Sequence, residues 1–303
     1  MELVMSFGFS RFNHLPQILA GTAVVAAIVI SQPAMAKTAK EVAKIAVPTT
    51  VRIDNTLSKD LGGSGVIIAK TGNIYTVLTA NHVVESTNSE YSVYTSKGKT
   101  YSVKSVTRLP KSADDTDLAI ITFESPEKQS VAAISNSDKA SIGSGIYIAG
   151  YPLSIEAGGE REFEFTAGQI SSRPNSRAKG YTMRYDAVTR RGMSGGPVFD
   201  VNGRVIGIHG EGDVEGAMRS ESAAGGEIRF KTGLNAAIPI NIFVALMPQA
   251  GMNSSILTRD DKPADNVEAT QPSRQEVRGW YSDFKNVVDI LRQVVPIRLP
   301  FGF

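Results

Sequence analysis

The 303-residue chain contains no cysteine. Disulfides and thiolate metal sites are therefore excluded, and an exported form would have to be held together by core packing alone. Histidine is scarce: His14, His82 and His209 are the whole supply, so chemistry that needs an imidazole base has few places to find one. No excess of one charge sign exists. The formal net charge is +2, with acids and bases interspersed and no long basic stripe, so a nucleic-acid partner is not expected. No nucleotide or redox cofactor motif occurs, and neither a cofactor nor a metal is expected. What is present suffices for a large core. Hydrophobic residues make up 42% of the chain, and the fraction of surface buried on folding rises with domain size.

The first 36 residues read as an export signal. Arg11 and His14 precede a short apolar run from Ile18 to Ile30, and Ala34-Met35-Ala36 supplies the small-x-small pattern of a cleavage site. Cleavage after Ala36 would leave Lys37 at the terminus. The run is short for a membrane span, so no stable anchor is expected, and the mature protein is placed in the periplasm or outside the cell.

From about Val47 to Met247 short β-patterned runs alternate with turn residues. Gly65 to Ile68 and Tyr75 to Leu78 flank Lys70-Thr71-Gly72-Asn73. Tyr91 to Tyr94 and Tyr101 to Val103 flank Lys97-Gly98. Leu118 to Phe123 is an apolar run to be buried on both faces. Ile146 to Ala149, Phe163 to Ile170 and Tyr181 to Tyr185 continue the series, and Val198-Phe199 and Val205 to Ile208 flank Asn202-Gly203, a hairpin signal. Many short strands at regular spacing give an all-β sandwich or barrels. Residues 253–273 are polar and proline-containing and read as a linker. Val277, Trp280, Tyr281, Phe284, Val287, Val288, Leu291 and Val294 then repeat at helical spacing up to Pro296, an amphipathic tail helix that could take a partner.

Three segments carry chemistry. In Gly192-Met193-Ser194-Gly195-Gly196-Pro197 a serine lies between strands, in a glycine-rich turn able to present backbone amides to a developing oxyanion. In Leu78-Thr79-Ala80-Asn81-His82-Val83-Val84 a histidine follows an apolar strand and can serve as the base. In Asp114-Asp115-Thr116-Asp117-Leu118-Ala119 the acid adjoining the buried run is Asp117, which can fix a histidine tautomer; Asp114 and Asp115 read as solvated.

These motifs, in the order His, Asp, Ser, resemble the trypsin-like serine peptidases over about residues 45–250, and Gly63 to Ile68 and Val205 to Gly210 are similar to bacterial secreted members. The resemblance implies two six-stranded antiparallel β-barrels of the chymotrypsin-like kind, about 45–130 and about 131–250, within a protease domain spanning 37–252. A catalytic triad of His82, Asp117 and Ser194 would lie in the cleft, with an oxyanion hole from the amides of Gly192 and Ser194. It implies a serine endopeptidase acting on proteins or peptides; the other reading is an inactive protease fold used for binding or as a scaffold. Two departures stand out. Residue 193 is Met, where zymogen-type members carry an Asp that pairs with a newly cut terminus, so the oxyanion loop must be ordered some other way. The surroundings of the site resemble HtrA-type periplasmic proteases, but residues 253–303 are too few for a PDZ module, so oligomeric quality control is not expected.

By the same resemblance Thr189, His209 and Gly210 line the pocket for the residue before the cut. The Thr189/His209 pair is similar to that of glutamyl endopeptidases, because a hydroxyl and an imidazole can both donate to a carboxylate. Val188 stands at the pocket floor, where an Asp would select Lys or Arg. Glu211, Asp213 and Glu215 stand nearby and oppose an acidic substrate.

Overall fold

The computed structural model describes residues 36–109, 116–156, 159–219, 227–262 and 269–270. Six strands close the first barrel: β1 (Thr50–Asn55), β2 (Ser58–Thr71), β3 (Ile74–Thr79), β4 (Tyr91–Tyr94), β5 (Thr100–Arg108) and β6 (Ala119–Glu124), in the order β1-β2-β3-β6-β5-β4. Six more close the second: β7 (Gly145–Gly150), β8 (Glu164–Ser172), β9 (Met183–Tyr185), β10 (Pro197–Asp200), β11 (Val205–Arg219) and β12 (Glu227–Pro239), in the order β10-β11-β12-β9-β8-β7. Neighbouring strands are antiparallel throughout. This is the pair of closed six-stranded barrels expected of the sequence.

The period of two explains how cysteine-free barrels cohere. Along β6, Ala119, Ile121 and Phe123 fill the first barrel with Val51, Ile53, Tyr75 and Val77. The intervening Leu118 and Ile120 join Val66, Ile68 and Leu78 in a second cluster that also takes in Tyr147, Phe165, Tyr181 and Ile238 of the second barrel. Strand β7 divides likewise: Ile146 and Ile148 point into their own barrel and Tyr147 and Ala149 into the shared cluster. The run at Leu118 to Phe123 is therefore buried on both faces because one face fills a barrel and the other cements it to its neighbour. Each fully buried Ile or Leu contributes about 1.5–3 kcal/mol.

Helix α1 (Ala39–Thr49) was not legible as part of the β pattern. It starts on a capping box in which Thr38 and Glu41 bond reciprocally, and Val42, Ala43 and Ala46 press into the shared cluster. A short helix, α2 (Ile240–Leu246), follows β12. The stretch read as a linker is docked over its described part. Ile134 N donates to Thr258 O and Asp260 N to Ile134 O, both at 2.9 Å, and Arg204 Nη1 donates to Lys262 O at 2.7 Å. Leu257 also joins the shared cluster, so backbone hydrogen bonds and an apolar side chain dock a stretch whose composition is polar. Residues 1–35 of the expected export segment and the expected tail helix at 277–294 lie outside the described residues. Among the described residues no helix is long and apolar enough to cross a membrane.

Candidate active site

Strand β3 ends at Thr79, and a single 3-10 turn, Asn81–Val84, carries His82 away from it. Val83 and Val84 are buried in the first barrel, so the turn is pinned by its apolar half and leaves the imidazole partly exposed. Asp117 lies two residues before β6. Its carbonyl accepts from Asn81 N at 3.1 Å, and its amide donates to Lys179 O of the second barrel at 3.2 Å.

The carboxylate of Asp117 meets three donors. Its Oδ1 accepts from the His82 amide at 2.8 Å. Its Oδ2 is 2.7 Å from His82 Nδ1 and accepts from the Tyr181 hydroxyl at 2.8 Å. Only 7% of the Asp117 side chain is exposed against 37% for His82. Burial pushes the carboxyl up, but the hydrogen bond and charge of His82, with the Tyr181 hydroxyl, outweigh it and hold Asp117 at about 2. Burial, then the Asp117 charge, raise the Tyr181 phenol far above its ordinary value, so it stays a donor. With Nδ1 engaged, Nε2 is left as the nitrogen that can take a proton.

Ser194 sits in the loop between β9 and β10, clamped on both sides. Its carbonyl accepts from Ser64 N on β2 at 2.8 Å; next to it, Gly195 N donates to His209 O at 2.7 Å, and His209 N to Gly196 O at 2.9 Å. The hydroxyl donates to Gly210 O at 3.4 Å, and no hydrogen bond joins it to His82 among the described residues. A hydroxyl turns freely about its Cα–Cβ bond, and such contacts tighten when substrate binds.

The amides of Gly192 and Ser194 make no backbone hydrogen bond among the described residues. Gly192 has φ +97°, open to glycine and strained for any other residue. Arg191 O accepts from Leu153 N at 2.8 Å. The peptide is planar and trans, so the Gly192 N–H is turned away from that contact. Ser194 and Gly192 thus have, among the described residues, two backbone amides without a backbone acceptor beside a hydroxyl.

The pocket residues cluster but differ from expectation in their bonds. His209 is buried, and its Nδ1 lies 2.6 Å from the Tyr185 hydroxyl. Thr189 does not share a bond with it. The Thr189 hydroxyl donates to Asn235 Oδ1 at 2.7 Å, and Asn235 Nδ2 donates to Ala187 O at 2.7 Å. The Thr189 proton is thus engaged by Asn235. Val188 is 67% exposed rather than a buried floor. Gly210 is a glycine for lack of room: a Cβ there would lie 2.0 Å from the Tyr181 oxygen. Glu211 has Arg177 at 3.9 Å, which offsets part of its charge; the side chains of Asp213 and Glu215 lie outside the described residues.

Five residues around the site escaped the sequence reading: Ser64, Tyr181, Tyr185, Asn235 and Arg161, whose Nη2 donates to Gly192 O at 2.9 Å. Asn235 had a signal, as the lone strongly polar residue in Leu234-Asn235-Ala236-Ala237-Ile238. Arg161 had none, because Glu160-Arg161-Glu162 reads as a solvated charge run.

Comparison with known proteins agrees with this architecture. Residues 63–208 match the trypsin-like peptidase domain. A probable periplasmic serine endoprotease, DegP-like, of Bartonella henselae is 32% identical over 150 residues, which are 48% of this chain and 27% of that protein. The periplasmic pH-dependent serine endoprotease DegQ of Escherichia coli is 32% identical over 151 residues, 48% of this chain and 30% of that protein. The chain thus spans less than a third of the length of these relatives.

Proposed function

From a chain that carries a trypsin-like peptidase domain over residues 63–208, we propose a serine endopeptidase that hydrolyses peptide bonds through an acyl-enzyme on Ser194. The observation that carries the reading is the bond of 2.7 Å between His82 Nδ1 and Asp117 Oδ2. Ser194 Oγ attacks the substrate carbonyl while His82 Nε2 takes its proton. Asp117, held ionised and desolvated, keeps the proton on Nδ1 and stabilises the imidazolium. The carbonyl oxygen becomes negative against the amides of Gly192 and Ser194. His82 then protonates the leaving amine, and a water repeats the sequence to release the acid and restore the hydroxyl. Incubation with an unbiased peptide library tests this: cleavage should be lost in Ser194→Ala, and cleavage retained there would refute it.

For the residue before the cut we propose Glu. The reading rests on the resemblance of the Thr189/His209 pair to that of glutamyl endopeptidases and on the buried imidazole, whose Nδ1 lies 2.6 Å from the Tyr185 hydroxyl. Thr189 contributes only if it exchanges its bond to Asn235. For location we propose export with removal of residues 1–36; the named relatives are periplasmic. The inactive-scaffold reading draws on one observation, the Ser194 hydroxyl directed at Gly210 O rather than at His82. Reaction of Ser194 with an active-site titrant separates the two.

A further inference from the structure

The oxyanion loop has no Asp at position 193 to receive a cut terminus. Met193 is fully buried in the second barrel's core, and its sulfur accepts from Arg190 N at 3.4 Å. Something else must fix the Gly192 peptide. Behind it lies Arg161, whose side chain is 6% exposed. Arg161 Nη2 lies 2.9 Å from Gly192 O, 2.8 Å from Gly63 O and 2.6 Å from Tyr151 O. Nε also donates to Tyr151 O at 2.9 Å, and Nη1 to Ile53 O at 3.3 Å. Two of these carbonyls belong to the first barrel and two to the second. The nearest carboxylate, Asp54, is 3.6 Å away and partly exposed. A buried cation held by carbonyls rather than by a hydrogen-bonded carboxylate is a costly device for mere packing.

The same carbonyl has a second donor. Ser64 Oγ donates to Gly192 O at 2.9 Å and accepts from Tyr151 N at 2.8 Å. Both peptides flanking Gly192 are thus pinned: the preceding one by Leu153 N on Arg191 O, the following one by Arg161 and Ser64 on Gly192 O. With both fixed, the Gly192 amide has one direction, and its N–H remains uncommitted.

We propose that Arg161 is a positioning residue that holds the Gly192 peptide in its oxyanion-binding orientation, so that the loop is ordered without terminal processing. This rests on the serine peptidase reading, and the test separates the two. In Arg161→Ala, kcat should fall about 10²-fold, the scale of losing one oxyanion donor, with KM within about threefold. Affinity for a peptide aldehyde, which forms the tetrahedral adduct, should fall in parallel. Added guanidinium at sub-denaturing concentration should restore part of kcat. If the wild type neither cleaves peptides nor reacts with a fluorophosphonate, the peptidase reading fails, and this proposal with it. If the wild type is active and Arg161→Ala lowers the melting temperature but keeps kcat and aldehyde affinity, Arg161 is structural only and the proposal alone is overturned. Should Arg161→Ala fail to fold, Ser64→Ala removes the other donor on the same carbonyl. It should show a smaller loss of the same kind, and unchanged kcat and aldehyde affinity there would overturn the proposal.

Discussion

Replacing Asp117 with Asn alters no volume and removes one charge, which makes its consequences unusually specific. Three donors converge on the carboxylate: the His82 amide on Oδ1, and His82 Nδ1 and the Tyr181 hydroxyl on Oδ2. An Asn has one acceptor oxygen and one NH2. With the oxygen at the Oδ2 position, the NH2 would face the His82 amide, donor against donor. With the oxygen at Oδ1 it accepts from that amide, and the NH2 donates to the Tyr181 oxygen and to an unprotonated Nδ1. The second arrangement avoids the clash with the His82 amide, leaves the Tyr181 proton without its acceptor, and forces the imidazole proton onto Nε2, where it blocks transfer from Ser194. Activity should then fall about 10⁴-fold, the loss that a wrong tautomer produces in a triad. Stability should change with a distinct pH signature. A carboxyl held at about 2 instead of its ordinary 3.8 contributes about 2 kcal/mol at neutral pH. Because the folded value is depressed, that contribution is fully present above pH 3.8 and is lost as pH falls through about 2. The stability gap between wild type and Asp117→Asn should therefore narrow as pH falls from about 4 through about 2. The assays are kcat/KM on a cleaved peptide and urea unfolding from pH 7 to pH 2. A kcat/KM within tenfold of wild type, or a gap that does not narrow in acid, would refute the tautomer argument or the linkage argument respectively.

Tyr181→Phe removes a donor from a charged acceptor and should lose about 1.5–3 kcal/mol of stability, together with a fall in kcat smaller than that of Asp117→Asn. Unchanged stability would mean that the Tyr181–Asp117 bond is not made in solution. Substituting His209 by Ala should remove the preference for Glu before the cut while the triad still reacts with a small titrant, as read from a peptide-library profile. A profile dominated by Val, Ala or Leu in both proteins would end the Glu proposal. Mass spectrometry of exported protein should find Lys37 at the terminus, and that form should be active without further trimming. An inactive Lys37 form activated by a later cut would oppose both that expectation and the role given to Arg161.

The barrels were legible because many strands are short apolar runs set off by turn residues such as Gly72-Asn73 and Asn202-Gly203; β6, with its double burial, was the plainest. His82, Asp117 and Ser194 were legible because each abuts an apolar strand in a short, distinctive motif. What was hidden arrives from far along the chain. Tyr181 reaches Asp117 from the other barrel, and Arg161 gathers carbonyls from four separated segments, which no local pattern encodes. Helix α1 was missed although Thr38 and Glu41 announce it, because its apolar face is made largely of alanines, too small to stand out beside the strands that follow. The bond between Thr189 and Asn235 was also hidden, because the two lie 46 residues apart.

The central claim is that His82 makes the Ser194 hydroxyl a nucleophile. Intact-mass and peptide mapping after brief exposure to a fluorophosphonate measures this without any knowledge of the substrate. The account requires a single adduct on Ser194 in the wild type, none in Ser194→Ala, and labelling slowed by orders of magnitude in His82→Ala. No adduct on the folded wild type, or an equal rate in His82→Ala, would contradict it.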